Sequence, residues 1–323
     1  VSSAVLIVVG LVGLLGGAEL VVRGGTGLAL RLGVTPIVVG VTVVSLGTSM
    51  PELAIGVDAA RQGNAGLAVG NIVGTNLVNL LLILGLSALI SPIAFEKRTL
   101  RLDLPLMTAA SLLLLVIALD GTLGMLDGVV LVLFGIGYTL AILRTSRQPA
   151  GSGQAEDAAA SVPEDAGPGK APLWRNVVNL VVGIAVIVVG ASLLVDGAVD
   201  AARALGVSDA VIGLTIIAIG TSAPELVTTV LSTLRGNRDI ALGNLLGSSV
   251  YNIAIILGIT ILAAPDVVPV PDEVLEGDLL LMAAAALACV PVFVSGSRIN
   301  RIEGGVFVAT YGGYLAWLLA TQG

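Results

Sequence analysis

Glu52 and Glu225 are the residues most suited to chemistry, each set in a G-T-S-x-P-E-L motif at 47–53 and 220–226. Each lies near the middle of an apolar run. An ionised carboxylate in such a place costs at least about 2.5–3.5 kcal/mol on insertion scales, so it faces a cavity, a partner or a cargo. Two carboxylates brought together repel unless a cation or a proton sits between them. A site of charge about −2 suits a hard divalent cation. The preceding proline of each motif points the same way. Pro51 has no N–H, so the Gly47 carbonyl loses its helical donor, and Pro224 does the same to Gly220. A helix broken at the motif exposes backbone carbonyls as oxygen ligands, which a membrane tolerates only where they line a cavity or bind an ion. Thr48, Ser49 and Glu52 fall at i, i+1 and i+4, as do Thr221, Ser222 and Glu225, so each set clusters on one side of its break.

Polar residues recur downstream at helical spacing. Asn71, Thr75 and Asn79 are four apart, as are Asn244, Ser248 and Asn252, so each set forms one face of an otherwise apolar helix. Carboxylates, hydroxyls, carbonyls and amides are all oxygen donors, a set that selects Na⁺, Ca²⁺ or Mg²⁺ over soft metals. Histidine is absent and Cys289 is the single cysteine, which excludes His-ligated metals, Ser-His or Cys-His catalysis and an intrachain disulfide.

The elements that must position these residues are membrane helices. Of 323 residues, 56% are hydrophobic and only 11% charged, and the mean hydropathy is +1.05. That excludes a soluble globular enzyme and a disordered chain. Leu/Val/Ile/Ala runs of about 20 residues predict an all-α membrane protein. We expect ten transmembrane helices, near 3–22, 34–61, 65–90, 101–119, 125–143, 176–195, 208–235, 239–263, 277–295 and 303–321. The first run has the length of a full span, not of a signal-peptide core. Residues 145–172, rich in Ala, Gly, Pro, Ser and acid, are expected to form a flexible linker between a first unit at 1–144 and a second at 173–323. With the N-terminus outside, 13 of the 15 basic residues face the cytoplasm and only Arg61 and Arg203 do not. This places both termini outside and the linker inside the cytoplasmic membrane. The formal charge of −7 argues against nucleic acid, and nothing in the sequence implies a protein partner or a cofactor.

A shift of 173 residues aligns 38–79 with 211–252 without a gap, with 17 identities in 42 positions. The retained residues include Gly, Thr, Ser, Pro, Glu and Asn, which lipid-facing composition alone would not supply. Five spans per half is an odd number, so the halves have inverted topology, the architecture of transporters whose site lies near the midplane between repeats. A two-fold axis in the membrane plane then brings Glu52 and Glu225 face to face.

GTSMPEL with GNIVGTNLVN (70–79), and GTSAPEL with GNLLGSSVYN (243–252), resemble the paired alpha-repeats of the cation/calcium exchanger superfamily, most closely its prokaryotic sodium/calcium exchangers. The resemblance implies exchange of sodium for calcium by alternating access, with net charge moved. It implies Glu52 and Glu225 as shared calcium ligands, assisted by the carbonyls of Thr48 and Thr221. It implies one sodium site from the Ser45 carbonyl, Ser49 and Thr75, a mirror site from the Ala218 carbonyl, Ser222 and Ser248, and a centre lined by Asn79 and Asn252. Thr75 departs from the usual Ser, and Asn252 from the Asp of potassium-dependent relatives. A proton/calcium antiporter of the same superfamily is the alternative; its usual motif has Gly-Asn where this chain has Gly-Thr-Ser. An intramembrane enzyme fits less well, since no nucleophile–base pair is visible, and no pore loop supports a channel. Small hydroxyls also glue membrane helices, and the acids Asp266, Asp272, Glu273, Glu276 and Asp278 suit a solvated loop.

Overall fold

Inside a bilayer each backbone N–H and C=O must be satisfied within its own segment, so apolar runs become helices. The computed structural model describes residues 2–94, 99–145, 172–207, 212, 215, 216, 218–296 and 298–322. Residues 146–171, nearly all of the expected linker, lie outside the described residues, as does most of 208–217. In chain order the helices are α1 (Ser3–Leu32), α2 (Pro36–Val39), α3 (Ser45–Thr48), α4 (Met50–Arg61), α5 (Ala65–Leu77), α6 (Leu84–Ile90), α7 (Leu104–Ile117) and α8 (Met125–Thr145). The second half continues with α9 (Leu173–Ala204), α10 (Ala218–Thr221), α11 (Ala223–Leu234), α12 (Arg238–Tyr251), α13 (Gly258–Ala263), α14 (Leu279–Gly296) and α15 (Arg301–Gln322). Wider π-helical turns join or precede several of them, at Gly40–Val44, Val78–Ile83, Thr99–Asp103, Asn252–Leu257 and Val274–Asp278.

Among the described residues, six helices are long and apolar enough to cross a membrane: Ser3–Leu32, Ala65–Ile90, Met125–Thr145, Leu173–Ala204, Arg238–Ala263 and Val274–Pro291. The pair Pro36–Thr48 and Met50–Arg61, bent by 42°, makes a seventh if taken as one span. The other expected spans, 101–119, 208–235 and 303–321, also carry helix among the described residues, over Leu104–Ile117, over Ala218–Thr221 with Ala223–Leu234, and over Arg301–Gln322. The expected spans 3–22 and 176–195 are too short: α1 runs 30 residues and α9 runs 32. At about 1.5 Å per residue, α1 is roughly 45 Å long, well beyond a hydrocarbon core of about 30 Å.

The glycines of α1 and α9 explain why both helices persist. The two pack antiparallel along their length, and their backbones touch where glycines meet. A Cβ on Gly10 would lie 2.6 Å from Leu194 N, and one on Gly183 would lie 2.9 Å from Val21 N. The pairs Gly17 with Ile187 N and Gly190 with Leu14 N (2.9 Å each), and Gly24 with Leu180 N (2.7 Å) and Gly197 with Ile7 N (2.9 Å), behave alike. In every pair the partners swap when 173 is added to one and removed from the other. Asn76 and Ser249, themselves 173 apart, touch directly: Asn76 Nδ2 donates to the Ser249 carbonyl at 3.3 Å. Self-matching contacts of this kind arise around a two-fold axis. The chain also turns alike in both halves, with left-handed glycines at Gly33 and Gly206 (φ 66° and 80°) and at Gly63 and Gly236 (φ 78° and 75°).

Helices Ala65–Ile90 and Arg238–Ala263 form the centre, 78% and 83% buried, whereas the α1 and α9 windows are only 33% and 28% buried. Two short antiparallel strand pairs tie the connecting loops, Ile93–Ala94 with Arg298–Ile299 and Thr122–Leu123 with Val268–Pro269. The glycine seam generates a prediction. Gly17→Val and Gly183→Val force a methyl group into backbone and should each cost roughly 1–3 kcal/mol. Gly16→Val, with nothing within 4 Å of its Cβ, should be near neutral. Thermal unfolding of the detergent-solubilised variants checks the ranking.

Candidate functional site

The two G-T-S-x-P-E-L motifs break their helices in the same way. In the first, α3 ends at Thr48, Ser49 leaves helical geometry (φ −87°, ψ 10°), and α4 restarts at Met50 with Pro51 and Glu52 in its first turn. In the second, α10 ends at Thr221, Ser222 takes φ −85° and ψ 6°, and α11 restarts at Ala223 with Pro224 and Glu225 in its first turn. Proline is at ease in a first turn, where its missing N–H has no partner to lose. The break aims two opposite dipole ends at one place. The positive N-termini of α4 and α11 support the carboxylates, and the carbonyl ends of α3 and α10 support a cation.

Contacts between the halves close the site. Ser49 Oγ donates to Glu225 Oε1 at 3.1 Å and lies 3.5 Å from Ser248 Oγ. Glu52 stands three residues after Ser49, whose hydroxyl reaches Glu225, so the break brings both motifs' acids to one site. Thr48 Oγ1 donates to Asn244 Oδ1 at 3.2 Å and to the Ser45 carbonyl at 3.3 Å, and that carbonyl also accepts the Ser49 N–H at 3.1 Å. Ser45 Oγ reaches the carbonyls of Gly40 (2.8 Å), Gly243 (3.2 Å) and Asn244 (3.1 Å), so its side chain fastens α3 to α12 while its carbonyl faces the break. Ser45, Thr48, Ser49, Glu52, Asn79, Ser222, Glu225, Ser248 and Asn252 are fully buried, and Thr75 nearly so. Ala218 opens α10, the short segment before the second break.

Many of these atoms have no protein partner. Among the described residues, both oxygens of Glu52, Oε2 of Glu225, Oγ1 of Thr75, Oγ of Ser222 and both amide atoms of Asn79 and Asn252 are buried without a hydrogen bond. Buried polar groups are nearly always satisfied, so such a concentration calls for a ligand. The donors are oxygens carried on broken or bulged segments, which suits a hard cation. No group of three or more His, Cys, Asp and Glu side chains comes together among the described residues, so the site's negative charge comes from this one pair.

Sequence reasoning missed two features. Asn79 and Asn252 sit at the start of π-helical turns, Val78–Ile83 and Asn252–Leu257. Such turns cluster at functional sites, but no residue type announces them. Asn244, although part of the polar stripe, was not placed in the ligand set; it accepts from Thr48 and donates to Thr229 Oγ1 at 3.1 Å. Its fourfold spacing from Ser248 and Asn252 was the available signal.

The family model described as "Sodium/calcium exchanger protein" matches residues 2–144 and 176–320. The chain is 34% identical over 319 residues to the inner membrane protein YrbG of Escherichia coli, covering 98% of this chain and 95% of that protein. It is 32% identical over 346 residues to the sodium/calcium exchanger MaX1 of Methanosarcina acetivorans, covering 97% of each. Among solved structures it superposes on the sodium-calcium exchanger NCX_Mj, soaked with Na⁺ and Sr²⁺, with a TM-score of 0.82, 29% identity and coverage of 99% of this chain and 98% of that one. On this evidence the protein is an all-α membrane protein and belongs to the sodium/calcium exchanger family.

Proposed function

We propose that this protein exchanges Na⁺ for Ca²⁺ across the cytoplasmic membrane by alternating access, with Glu52 and Glu225 as shared calcium ligands. The observation that carries this reading is the buried pair of glutamates, three of whose carboxylate oxygens have no protein partner among the described residues. The carbonyl ends at Thr48 and Thr221 assist them. Ser45, Ser49 and Thr75 form one sodium site, Ala218, Ser222 and Ser248 its mirror, and Asn79 and Asn252 line the centre. The exchanger MaX1 and the ion-soaked NCX_Mj support the choice of ions by likeness. The protein needs no cofactor for this, and no protein partner enters the reading.

The proposal includes ten spans in two inverted five-helix units, 1–144 and 173–323, joined by 145–172 on the cytoplasmic side, with both termini outside. The reciprocal glycine contacts and the Asn76–Ser249 contact support the inverted relation. Two carboxylates balance one Ca²⁺, whereas three Na⁺ load the same pocket to about +1. Either load relieves the repulsion of the empty pair, and the two cannot bind fully together, so exchange follows in place of leak.

Three outcomes are expected. Glu52→Gln and Glu225→Gln should each lower vesicle Ca²⁺ uptake about 100-fold or more, since removing one charge of a buried set costs about 3 kcal/mol or more; near-normal uptake by either variant, folded by size-exclusion profile, overturns the site. Ser49→Ala and Ser222→Ala should raise the Na⁺ concentration needed for half-maximal exchange more than they weaken Ca²⁺ binding. Ca²⁺ flux should follow an imposed Na⁺ gradient and shift with a clamped potential by about 2.3 kcal/mol per charge per 100 mV. Flux that follows a pH gradient and ignores sodium assigns the proton-coupled alternative.

A further inference from the structure

One residue before each central asparagine the two halves differ in chemistry. Asn252 and Asn79 are equivalent, but Tyr251 precedes the first and Val78 the second. Asn252 opens the π-helical turn Asn252–Leu257 and is fully buried. Among the described residues neither of its amide atoms has a hydrogen-bond partner. No side-chain bond fixes that amide, so its place depends on the backbone of the turn and on what grips that backbone.

Helix α8 supplies the grip. It packs directly on the turn: a Cβ on Gly135 would lie 2.5 Å from Ile255 Cδ1 and 3.1 Å from Ala254 Cβ. One helical turn further along α8, the Thr139 and Tyr251 hydroxyls are 2.8 Å apart. Thr139 Oγ1 also lies 2.8 Å from the Gly135 carbonyl, which can only accept. A hydroxyl has one hydrogen, so Thr139 donates to Gly135 and Tyr251 donates to Thr139. The ring of Tyr251 is held as well. Tyr138 meets it edge to face, with centroids 5.6 Å apart at 61°. The Tyr138 hydroxyl in turn donates to Oδ1 of Asp103, the residue before α7, at 3.5 Å. Tyr251 and Tyr138 are 1% and 2% exposed, so packing locks both rings. An aromatic pair of this geometry adds to what burial alone contributes. Val78 has neither hydroxyl nor ring, so Asn79 has no anchor of this kind.

We propose that Tyr251 is a positioning residue for the ion site: through Thr139 and Tyr138 it holds the turn that carries Asn252, and so sets a preference for Ca²⁺ over larger divalent cations. The proposal rests on the exchange reading above, which puts Asn252 at the centre of the site. Selectivity among hard cations depends on cavity size, ligand number and the flexibility of the donors. A donor on a clamped backbone cannot retreat to admit a larger ion, whereas a donor on an unclamped turn can. The Asn252 side is then the fixed wall of the site and the Asn79 side the adjustable one. Removing the Tyr251 hydroxyl keeps the ring and its packing but loosens the turn, so a larger ion gains relative to Ca²⁺.

Equilibrium binding of radioactive Ca²⁺ to the purified full chain, displaced in turn by Sr²⁺, Ba²⁺ and Na⁺, tests this. Tyr251→Phe and Thr139→Val remove the same hydrogen bond from its two ends. Each should shift the ratio of the Ba²⁺ and Ca²⁺ dissociation constants toward Ba²⁺ by about threefold, within the worth of one hydrogen bond, with a smaller shift for Sr²⁺. The double variant should shift the ratio no further than either single one, because one bond is lost only once. Ser111→Ala is the control, since that buried hydroxyl bonds the Met107 carbonyl of its own helix at 3.2 Å. Its ratio should stay unchanged. Ratios unchanged in both test variants overturn the proposal, as does an equal shift in the control. A uniform weakening of every ion, the mark of a merely structural bond, overturns it too, and so do shifts that multiply in the double variant. Should Tyr251→Phe fail to accumulate, Thr139→Val carries the same test. Bound Ca²⁺ that Na⁺ cannot displace overturns the exchange reading; the Ba²⁺ shift is read from divalent ions alone and leaves the positioning role standing.

Discussion

Two carboxylates buried side by side in an apolar bundle repel one another, and each has lost its water. Glu52 and Glu225 are in this position, with three of their four oxygens unpartnered among the described residues. The rest of the structure answers that constraint. The helix breaks bring the positive ends of α4 and α11 to the acids, and the carbonyl ends of α3 and α10 to whatever neutralises them. Ser49 spans the halves to steady Glu225. What remains unbalanced is negative charge, and on that imbalance the proposed cation site rests.

Holding such a site requires close helices, and in lipid the hydrophobic effect does little to bring helices together. Small residues do it instead, by letting backbones touch. Gly243 meets the Ile37 carbonyl and Val41 N, a Cβ there lying 2.6 and 2.9 Å away, and so sets α12 against the segment leading into the first break. The same logic runs along α1 and α9, which lie outside the central helices and contact each other more than they contact the site.

The two halves repeat one another in their motifs, with 17 identities in the 42 positions of the matched stretch, but their packing differs. Helix α1 lies on α11 while α9 stands off α4. The sequence deepens this asymmetry: Thr228 and Ser232 replace Ile55 and Ala59, and the Glu19–Arg235 pair has no counterpart. Substitutions at equivalent positions therefore set the two halves apart in chemistry as well as in packing.

Much of this was legible in the residues. Composition fixed a helical membrane protein, because only helices of that hydropathy satisfy their backbone in lipid. The 173-residue offset paired the glutamates, and Pro51 and Pro224 located the breaks, because a missing N–H is a local property that no packing restores. The hydroxyls and amides of the site were visible through their spacing. Tertiary structure decided the rest. Helix α1 could not be given its full length from sequence, since glycines 24, 25 and 27 weaken an isolated helix; Gly24 and Gly27 are held against Asn176 of α9, and Gly25 faces Val39 and Ile240. The π-helical turns at Asn79 and Asn252 arise from packing between α5, α12 and their neighbours, with no residue signature of their own. Glu19 joins Arg235 only because α1 folds onto α11. Periodicity describes one helix face at a time, while a contact between faces 216 residues apart depends on how whole helices pack, which only the folded chain determines.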